Sequence, residues 1–244
     1  MRDYKAETEN RISFIKNTLK YASADGIIYG NSGGKDSALV GILCKMACDN
    51  TLGLIMACGS KRNYEADKTD AQTIAATYGI SVRTVDLSDV RDKLAQAIES
   101  ETTLNKNALS NIAPRLRMTT LYAVAAAENR LVAGTGNRSE GHMGYFTKFG
   151  DGAYDFNPIA DLTVTEIYQF LLYLGAPACV MEKAPSAGLF DGQTDEGEMG
   201  ITYRAIDEFL LNGTVSEHDS KIISKFHNRS NHKRGMPVVF ESKQ

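Results

Sequence analysis

The sequence predicts an α/β fold, a doubly wound and mostly parallel open sheet flanked by helices, from three observations. Short apolar runs alternate with stretches of helical period between residues 27 and 135. A glycine-rich run at residues 30–34 separates the first strand from its helix. The composition, 43% apolar and 23% charged, is that of a globular chain able to bury a core. Alternating strands and helices form parallel sheets, which bind ligands beyond the carboxyl ends of their strands.

The elements of the sheet follow from local patterns. Ile12, Ile15 and Leu19 recur at helical spacing among charged residues, which predicts an amphipathic helix over residues 1–21 that ends before Gly26. Short apolar runs predict strands at residues 27–29, 52–57, 82–87 and 131–135. Helical periodicity predicts helices at residues 37–47, 65–78, 90–99 and 114–129, the last with Pro114 in its first turn.

Beyond the last strand the patterns become more irregular. Glycine and polar residues dominate residues 136–152, which are predicted to be loop, and residues 183–197 are expected to form a mobile loop. Helices are predicted at residues 165–174, 201–211 and 216–226. We expect a single domain over residues 1–244, with a helical C-terminal part from about residue 200.

The charge balance and hydropathy exclude several classes of protein. Lys and Arg number 27 against 30 Asp and Glu, a net charge of -3, whereas nucleic-acid binders carry clustered basic residues. We therefore expect no nucleic-acid partner. No apolar run approaches the roughly 18 residues of a membrane span, and the N-terminus is too polar for a signal peptide. We expect a cytoplasmic protein without a membrane partner.

The loop after the first strand has the features of a phosphate-binding loop. It opens a helix, whose free N–H groups and positive dipole end favour an anion, and its glycines let the main chain approach phosphate oxygens. Its spacing differs from both the Walker loop and the dinucleotide fingerprint. An acidic residue beside phosphates predicts a bridging Mg²⁺; the alternative is a glycine-rich turn capped by Ser and Asp. The loop reads Gly30, Asn31, Ser32, Gly33, Gly34, Lys35, Asp36 and Ser37.

The segment Ser32-Gly33-Gly34-Lys35-Asp36-Ser37 resembles the pyrophosphate loop of the ATP pyrophosphatases, which have the adenine nucleotide alpha hydrolase-like fold. Four further blocks resemble ammonia-dependent NAD synthetases in order and spacing over nearly the whole chain. These blocks lie at residues 134–140, 144–152, 155–159 and 183–196.

The resemblance implies a set of site residues. Asp36 and Glu140 match magnesium carboxylates, and Asp151 matches an aspartate that positions or deprotonates the incoming ammonium. The positions that match ATP contacts are the loop residues 30–37, Thr135 and Ser186. The positions that match deamido-NAD contacts are Arg115, Lys148, Asp155, His232 and Lys233. Arg115 is preferred to Arg117 because its distance from Thr135 along the chain matches the family.

One position departs from the family pattern. Where relatives commonly carry a lysine that contacts ATP phosphates, this chain has Val164, which removes a cation. Lys35, within the loop, stands where many relatives have a neutral residue. We hypothesise that Lys35 supplies the replacement charge and takes part in catalysis.

The reaction implied is ATP-dependent amidation of deamido-NAD, through an adenylated carboxylate, to give NAD, AMP and pyrophosphate. The matching blocks leave no room for a fused amidase, so free ammonia or a separate glutaminase subunit is expected, and the resemblance implies a homodimer. Two alternatives stay open. Another ATP pyrophosphatase, such as a GMP synthetase or a tRNA-thiolating enzyme, would change the acceptor. A nucleotide-binding sensor without turnover is suggested by Val164.

Overall fold

The structure, a computed structural model, describes residues 2–59, 64–181 and 194–240, with the backbone alone at 64–66. Four parallel strands form a single sheet in the described residues, in the order β3-β2-β1-β4. The predicted α/β class and parallel sheet are thereby confirmed. The strands are β1 (Gly26–Gly30), β2 (Thr51–Ala57), β3 (Ser81–Asp86) and β4 (Arg130–Ala133).

Helices cover both faces of this sheet. Helices α2 and α3 pack on one face and α6 packs on the other, where it contacts β1 and β4. The described helices are α1 (Tyr4–Ala22), α2 (Lys35–Ala47), α3 (Tyr64–Tyr78), α4 (Ser88–Glu99), α5 (Lys106–Ser110), α6 (Ile112–Ala127), α7 (Arg138–Met143), α8 (Val164–Tyr173), α9 (Ala178–Met181), α10 (Asp195–Met199), α11 (Tyr203–Asn212), α12 (Glu217–Arg229) and α13 (Asn231–Arg234). None of these helices is long and apolar enough to cross a membrane.

Strand β1 is buried on both sides, as its continuous apolar sequence predicts. Ile27 and Tyr29 point into a core cluster shared with α1, α2 and α8. Ile28 points to the opposite face, where it packs with Val132 and with Ala125 of α6. All three strand side chains are fully buried. The two cores fix β1 at the centre of the sheet and so fix the loop that follows it.

The order in which successive strands are added to the sheet reverses beside β1. From β1 the chain moves outward through β2 to β3, and it then returns to place β4 on the other side of β1. Tyr29 of β1 is in register with Ala133 of β4, so both strands end at the same edge of the sheet. Doubly wound sheets bind ligands at such a switch point. The residues that follow β1 and β4 therefore face each other across the expected ligand crevice.

Two loop predictions need correction. Residues 136–152 are not all loop, because they contain α7, whose start is fixed by a reciprocal capping box between Asn137 and Glu140. A helix of six residues is too short to show an apolar period. Of the loop predicted at residues 183–197, residues 183–193 lie outside the described part, and Asp195–Met199 forms α10 with Thr194 as its N-cap.

Candidate active site

The glycine-rich loop leaves the amino end of α2 open. Gly34 is the N-cap residue, and no described side chain caps the helix. The N–H groups of Lys35, Asp36 and Ser37 lie in the first turn and so lack acceptors within the helix. Such N–H groups, together with the helix dipole, favour an anion such as phosphate. This geometry agrees with the phosphate loop expected from the sequence.

Side chains of the loop hold its shape. The Asn31 side chain is 2% exposed, and its amide donates to the carbonyl oxygen of Ala71 in α3 at 3.2 Å. Ser32 Oγ lies 3.1 Å from Ser37 Oγ, so two hydroxyl groups face each other across the loop. Gly33 has a φ of +72°, in the left-handed region that favours glycine. A Cβ atom there would collide with the carbonyl oxygen of Asp67.

The two predicted metal carboxylates are brought together by Asn137. Its side-chain amide donates to Oδ1 of Asp36 at 3.1 Å, and its backbone N–H donates to Oε2 of Glu140 at 3.1 Å. Asn137 itself is 2% exposed. Asp36 comes from the start of α2 and Glu140 from α7, so the pair spans the crevice between β1 and β4.

Burial and the nearby charge of Asp36 raise the pKa of the Glu140 carboxyl to about 8. Two carboxylates at such close quarters repel each other, and a divalent cation would relieve that repulsion. Oxygen ligands of this kind suit Mg²⁺, which usually takes one or two protein carboxylates plus substrate phosphates and water. The described residues contain no group of three or more His, Cys, Asp or Glu side chains fit to hold a metal. A magnesium ion here would need substrate oxygens.

Lys35 lies among these acidic groups. Its Nζ is 2.7 Å from Oδ2 of Asp36 and 5.6 Å from the centre of the Tyr203 ring, and the side chain is 6% exposed. The charges of Asp36 and Glu140 raise the pKa of Lys35 against the opposing effect of burial. Val164, the position at which we expect a departure from the family pattern, packs in the same apolar cluster as Tyr203. Tyr203 thus lies beside Lys35 and belongs to the apolar cluster that contains Val164.

Asp207 of α11 accepts hydrogen bonds from α7, the helix that contains Glu140, and from α8. It is 2% exposed, and it accepts hydrogen bonds from Ser139 Oγ at 2.5 Å and from Thr165 N at 2.7 Å. Ser139 precedes Glu140 in α7, and Thr165 lies in the first turn of α8. The carboxylate therefore ties α7 to the amino end of α8, where a negative charge is favourable.

Four of the residues matched to deamido-NAD contacts lie together. Nζ of Lys148 donates to the carbonyl oxygen of His232 at 2.6 Å, and the guanidinium of Arg115 reaches the carbonyl oxygen of Lys148 at 3.4 Å. Lys233 is next in sequence, and its Nζ donates to the carbonyl oxygens of Gly144 and Phe146 at 2.9 and 2.8 Å. These residues form a cationic group in a chain of negative net charge.

The two aspartates predicted in this region have different surroundings. Asp151 is exposed, its Oδ1 accepts from the backbone N–H of Thr147 at 3.0 Å, and its charge acts on Lys233. Asp155 lies along β4, where its Oδ2 accepts from Val132 N at 2.7 Å and its Oδ1 accepts from Tyr122 Oη at 3.2 Å. No contact within the described residues joins Asp155 to the cationic group.

The remaining predicted ATP contacts are Thr135 and Ser186. Thr135 is half-buried two residues beyond β4, at the switch point. Ser186 lies outside the described residues.

With this geometry in place, comparison with known proteins decides the family. The family model described as NAD synthase matches residues 7–237. The chain belongs to the NAD synthase family. The resemblance inferred from the sequence motifs is confirmed.

Relatives in the NAD synthase family cover nearly the whole chain. The NH(3)-dependent NAD(+) synthetase of Carboxydothermus hydrogenoformans is 45% identical over 240 residues, or 97% of this chain and 98% of the relative. The structure of NMN synthetase from Francisella tularensis has a TM-score of 0.93 at 36% identity and covers 99% of this chain and 100% of that one. The NH3-dependent NAD synthetase from Campylobacter jejuni, in complex with the nitrate ion, has a TM-score of 0.81 at 30% identity, with coverages of 99% and 100%.

Several residues that build the site in this NAD synthase family member were missed from the sequence. Asn137 had a detectable signal, since Asn followed three residues later by Glu is a capping-box pattern. The roles of Tyr203 and Asp207 had no signal in the sequence, because α11 is more than 160 residues from Lys35 along the chain and about 40 residues from α8.

Proposed function

We propose that this chain uses ATP and ammonia to amidate deamido-NAD, giving NAD, AMP and pyrophosphate. The observation that carries the proposal is the open amino end of α2 beside the Asp36 and Glu140 pair, in a chain of the NAD synthase family. A phosphate cradle next to two carboxylates suits the polyphosphate of a nucleotide. The reaction itself is inferred from the relatives that are named NH3-dependent NAD synthetases.

In the first step a carboxylate oxygen of the acceptor attacks the α-phosphorus of ATP. The bond from the α-phosphorus to the bridging oxygen breaks, and pyrophosphate leaves with that electron pair. The N–H groups at the start of α2 and the hydroxyls of Ser32 and Ser37 stabilise the departing pyrophosphate. The product of this step is an acyl adenylate, and catalysis consists mainly of positioning and charge neutralisation.

In the second step ammonia attacks the carbonyl carbon, and AMP leaves with the oxygen that came from the carboxylate. Ammonium must lose a proton before it attacks, and we assign that role to Asp151. The residue is exposed, burial of its carboxyl group raises the pKa of that group, which favours uptake of a proton, and Lys233 lies close enough for the two charges to interact. The ammonia is free ammonia or the product of a separate glutaminase.

We propose that Asp36 and Glu140 hold Mg²⁺ together with ATP oxygens. When bound, the ion would supply charge neutralisation at the phosphates. Lys35 would add a further positive charge beside the phosphates and would so replace a lysine that is absent at position 164. The other proposed ATP contacts are residues 30–37, Thr135 and Ser186.

The acceptor is proposed to bind through Arg115, Lys148, Asp155, His232 and Lys233. The similarity to an NMN synthetase at a TM-score of 0.93 favours a second candidate acceptor, nicotinate mononucleotide, whose amidation would give NMN. Both acceptors present the same nicotinate carboxylate to the α-phosphorus.

We further propose that the chain is a cytoplasmic homodimer. Asp155 lies along β4, away from the cationic group formed by Arg115 and Lys148. A site assembled from two subunits would account for this separation. Sedimentation equilibrium tests the proposal, and a monomer at assay concentration would contradict it.

Purified protein incubated with ATP, Mg²⁺, ammonium and one acceptor tests the function. With deamido-NAD we expect NAD and AMP in equal amounts. A higher kcat/KM with nicotinate mononucleotide would favour the second candidate. AMP without either amide would point to a different acceptor, and no AMP at all would overturn the proposed reaction.

A further inference from the structure

Arg117 places a positive charge at the carboxyl edge of the sheet. It lies in the second turn of α6, and its Nε donates to the carbonyl oxygen of Met56 at 3.3 Å. Met56 is the second-last residue of β2, and its methyl group lies 3.6 Å from where a Cβ on Gly30 would be. Arg117 is thus anchored beside the strand end from which the phosphate loop begins.

The guanidinium has no carboxylate partner among the residues whose side chains are described. In contrast, Arg2, Arg11 and Arg130 each form ion pairs with carboxylates. Asp67 and Asp151 act on Arg117 through longer-range electrostatics without a hydrogen bond. Within the described part of the chain, the hydrogen bond to Met56 therefore leaves most of the donors of the guanidinium fork without an acceptor.

The surroundings of Arg117 make an unpaired charge unfavourable. Loss of water around the side chain lowers its pKa. Removing a charge from water without a hydrogen-bonded partner costs free energy, and an anion bound at the guanidinium would offset that cost. The residue is partly exposed, so a ligand can reach it.

Arg115 and Arg117 cannot serve the same contact. Two residues along an α-helix turn the side chain by roughly 200°. Arg115 is exposed and reaches Lys148 in the cationic group, whereas Arg117 reaches Met56 at the edge of the sheet. The two arginines, which lie close together in the sequence, therefore contact different parts of the structure.

We propose that the guanidinium of Arg117 binds an anionic oxygen next to the reacting phosphorus, from a phosphate of ATP or from the acceptor carboxylate. The inference rests on the proposed function, since that reaction brings both anions to the edge of the sheet. A planar fork of donors suits either anion, and Asp151 on the same side places the contact near the incoming ammonium.

Two variants and a control test the role. Arg117→Met removes the charge and keeps the apolar stem, while Arg117→Lys keeps a charge without the fork. Arg204→Met, at an exposed position on α11, controls for the loss of one arginine. Each protein is measured for Mg-ATP affinity by calorimetry, for kcat and KM of the acceptor, and for thermal midpoint.

For Arg117→Met we expect kcat/KM to fall by about tenfold to a hundredfold, which is the effect expected from the loss of one charged hydrogen bond. The thermal midpoint should stay near that of the wild type, and Arg117→Lys should recover part of the activity. Weaker Mg-ATP binding identifies the phosphate as the partner. Unchanged Mg-ATP binding with a higher KM for the acceptor identifies the carboxylate.

Unchanged kcat/KM and unchanged Mg-ATP affinity in Arg117→Met would overturn the inference. So would a fall in activity matched by a fall in thermal midpoint, with Arg117→Lys no better than Arg117→Met. If the wild type amidates neither acceptor, the proposed function fails separately. Calorimetry with Mg-ATP and with each acceptor then decides the role of Arg117, since weaker binding of either ligand in Arg117→Met would support it and wild-type affinity for both would refute it.

Discussion

Nζ of Lys35 lies 2.7 Å from Oδ2 of Asp36, so a lysine of the phosphate loop is paired with one of the two carboxylates proposed to hold magnesium. Nζ of Lys35 also lies 5.6 Å from the centre of the Tyr203 ring, which belongs to the same apolar cluster as Val164. A positive charge thus lies within the loop at the start of α2, as the charge-replacement hypothesis requires.

If Lys35 supplies that charge, Lys35→Met should raise the KM for ATP by about tenfold, because a charged contact to phosphate is lost. Lys45→Met is the control, since Lys45 lies near the other end of α2 and pairs with Asp49. Steady-state kinetics at saturating acceptor measures the effect. An unchanged KM and kcat in Lys35→Met would show that the charge is not used.

The raised pKa of Glu140 predicts how the metal-free protein responds to pH. The folded state keeps this proton up to about pH 8, whereas the unfolded carboxyl loses it near 4.5. Its contribution to stability is therefore fully present below about pH 4.5 and is lost as the pH rises through about 8.

Because the metal needs the carboxylate form, the rise in thermal midpoint caused by Mg²⁺ in the presence of ATP should grow between about pH 7 and pH 9. Glu140→Gln should lose most of this magnesium effect. Differential scanning calorimetry with ATP alone and with Mg-ATP measures it. Equal magnesium effects at both pH values would contradict the assignment of Glu140.

Asp207→Asn should lower the free energy of unfolding by about 1–3 kcal/mol, because an amide NH₂ would face donors that now share a buried carboxylate. The donors are Ser139 Oγ, Thr165 N and Thr165 Oγ1. Glu208→Gln changes the neighbouring exposed acid and serves as the control. Urea denaturation measures both. If the two variants are equally stable, Asp207 does not hold α7 to α8.

Gly33→Ala should destabilise the protein and abolish tight ATP binding. A side chain at a φ of +72° costs about 1–2 kcal/mol, and its Cβ would also collide with the Asp67 carbonyl. Gly34→Ala is the matched comparison for stability, since its Cβ would meet Ser32 Oγ at 3.4 Å, an ordinary contact. Thermal unfolding distinguishes them, and equal losses would contradict the packing of the loop on α3.

Much of this arrangement was predictable because its signals are local. The strand, glycine loop and helix at β1 and α2 are adjacent in sequence, and their turn chemistry and periodicity predict both the fold and the glycine-rich start of α2. Helix α7 was missed because six residues give no period, although its capping box at Asn137 was visible.

The unpredicted features depend on tertiary contacts. Sequence spacing preferred Arg115 to Arg117, but the direction of each side chain depends on the rotation of α6 against the sheet. Tyr203 reaches Lys35 only after α11 has packed near α8. Asp155 was grouped with the cationic residues by motif, and its bond to Val132 of β4 follows from pairing along the sheet edge.

Isotope transfer tests the central claim, attack of the acceptor carboxylate on the α-phosphorus held at the loop after β1. Deamido-NAD carrying ¹⁸O in both carboxylate oxygens is incubated with ATP, Mg²⁺, ammonium and the protein, and the products are resolved by mass spectrometry. The account predicts one ¹⁸O atom in AMP for each NAD formed and none in pyrophosphate. Label in inorganic phosphate, with ADP as the nucleotide product, would contradict it.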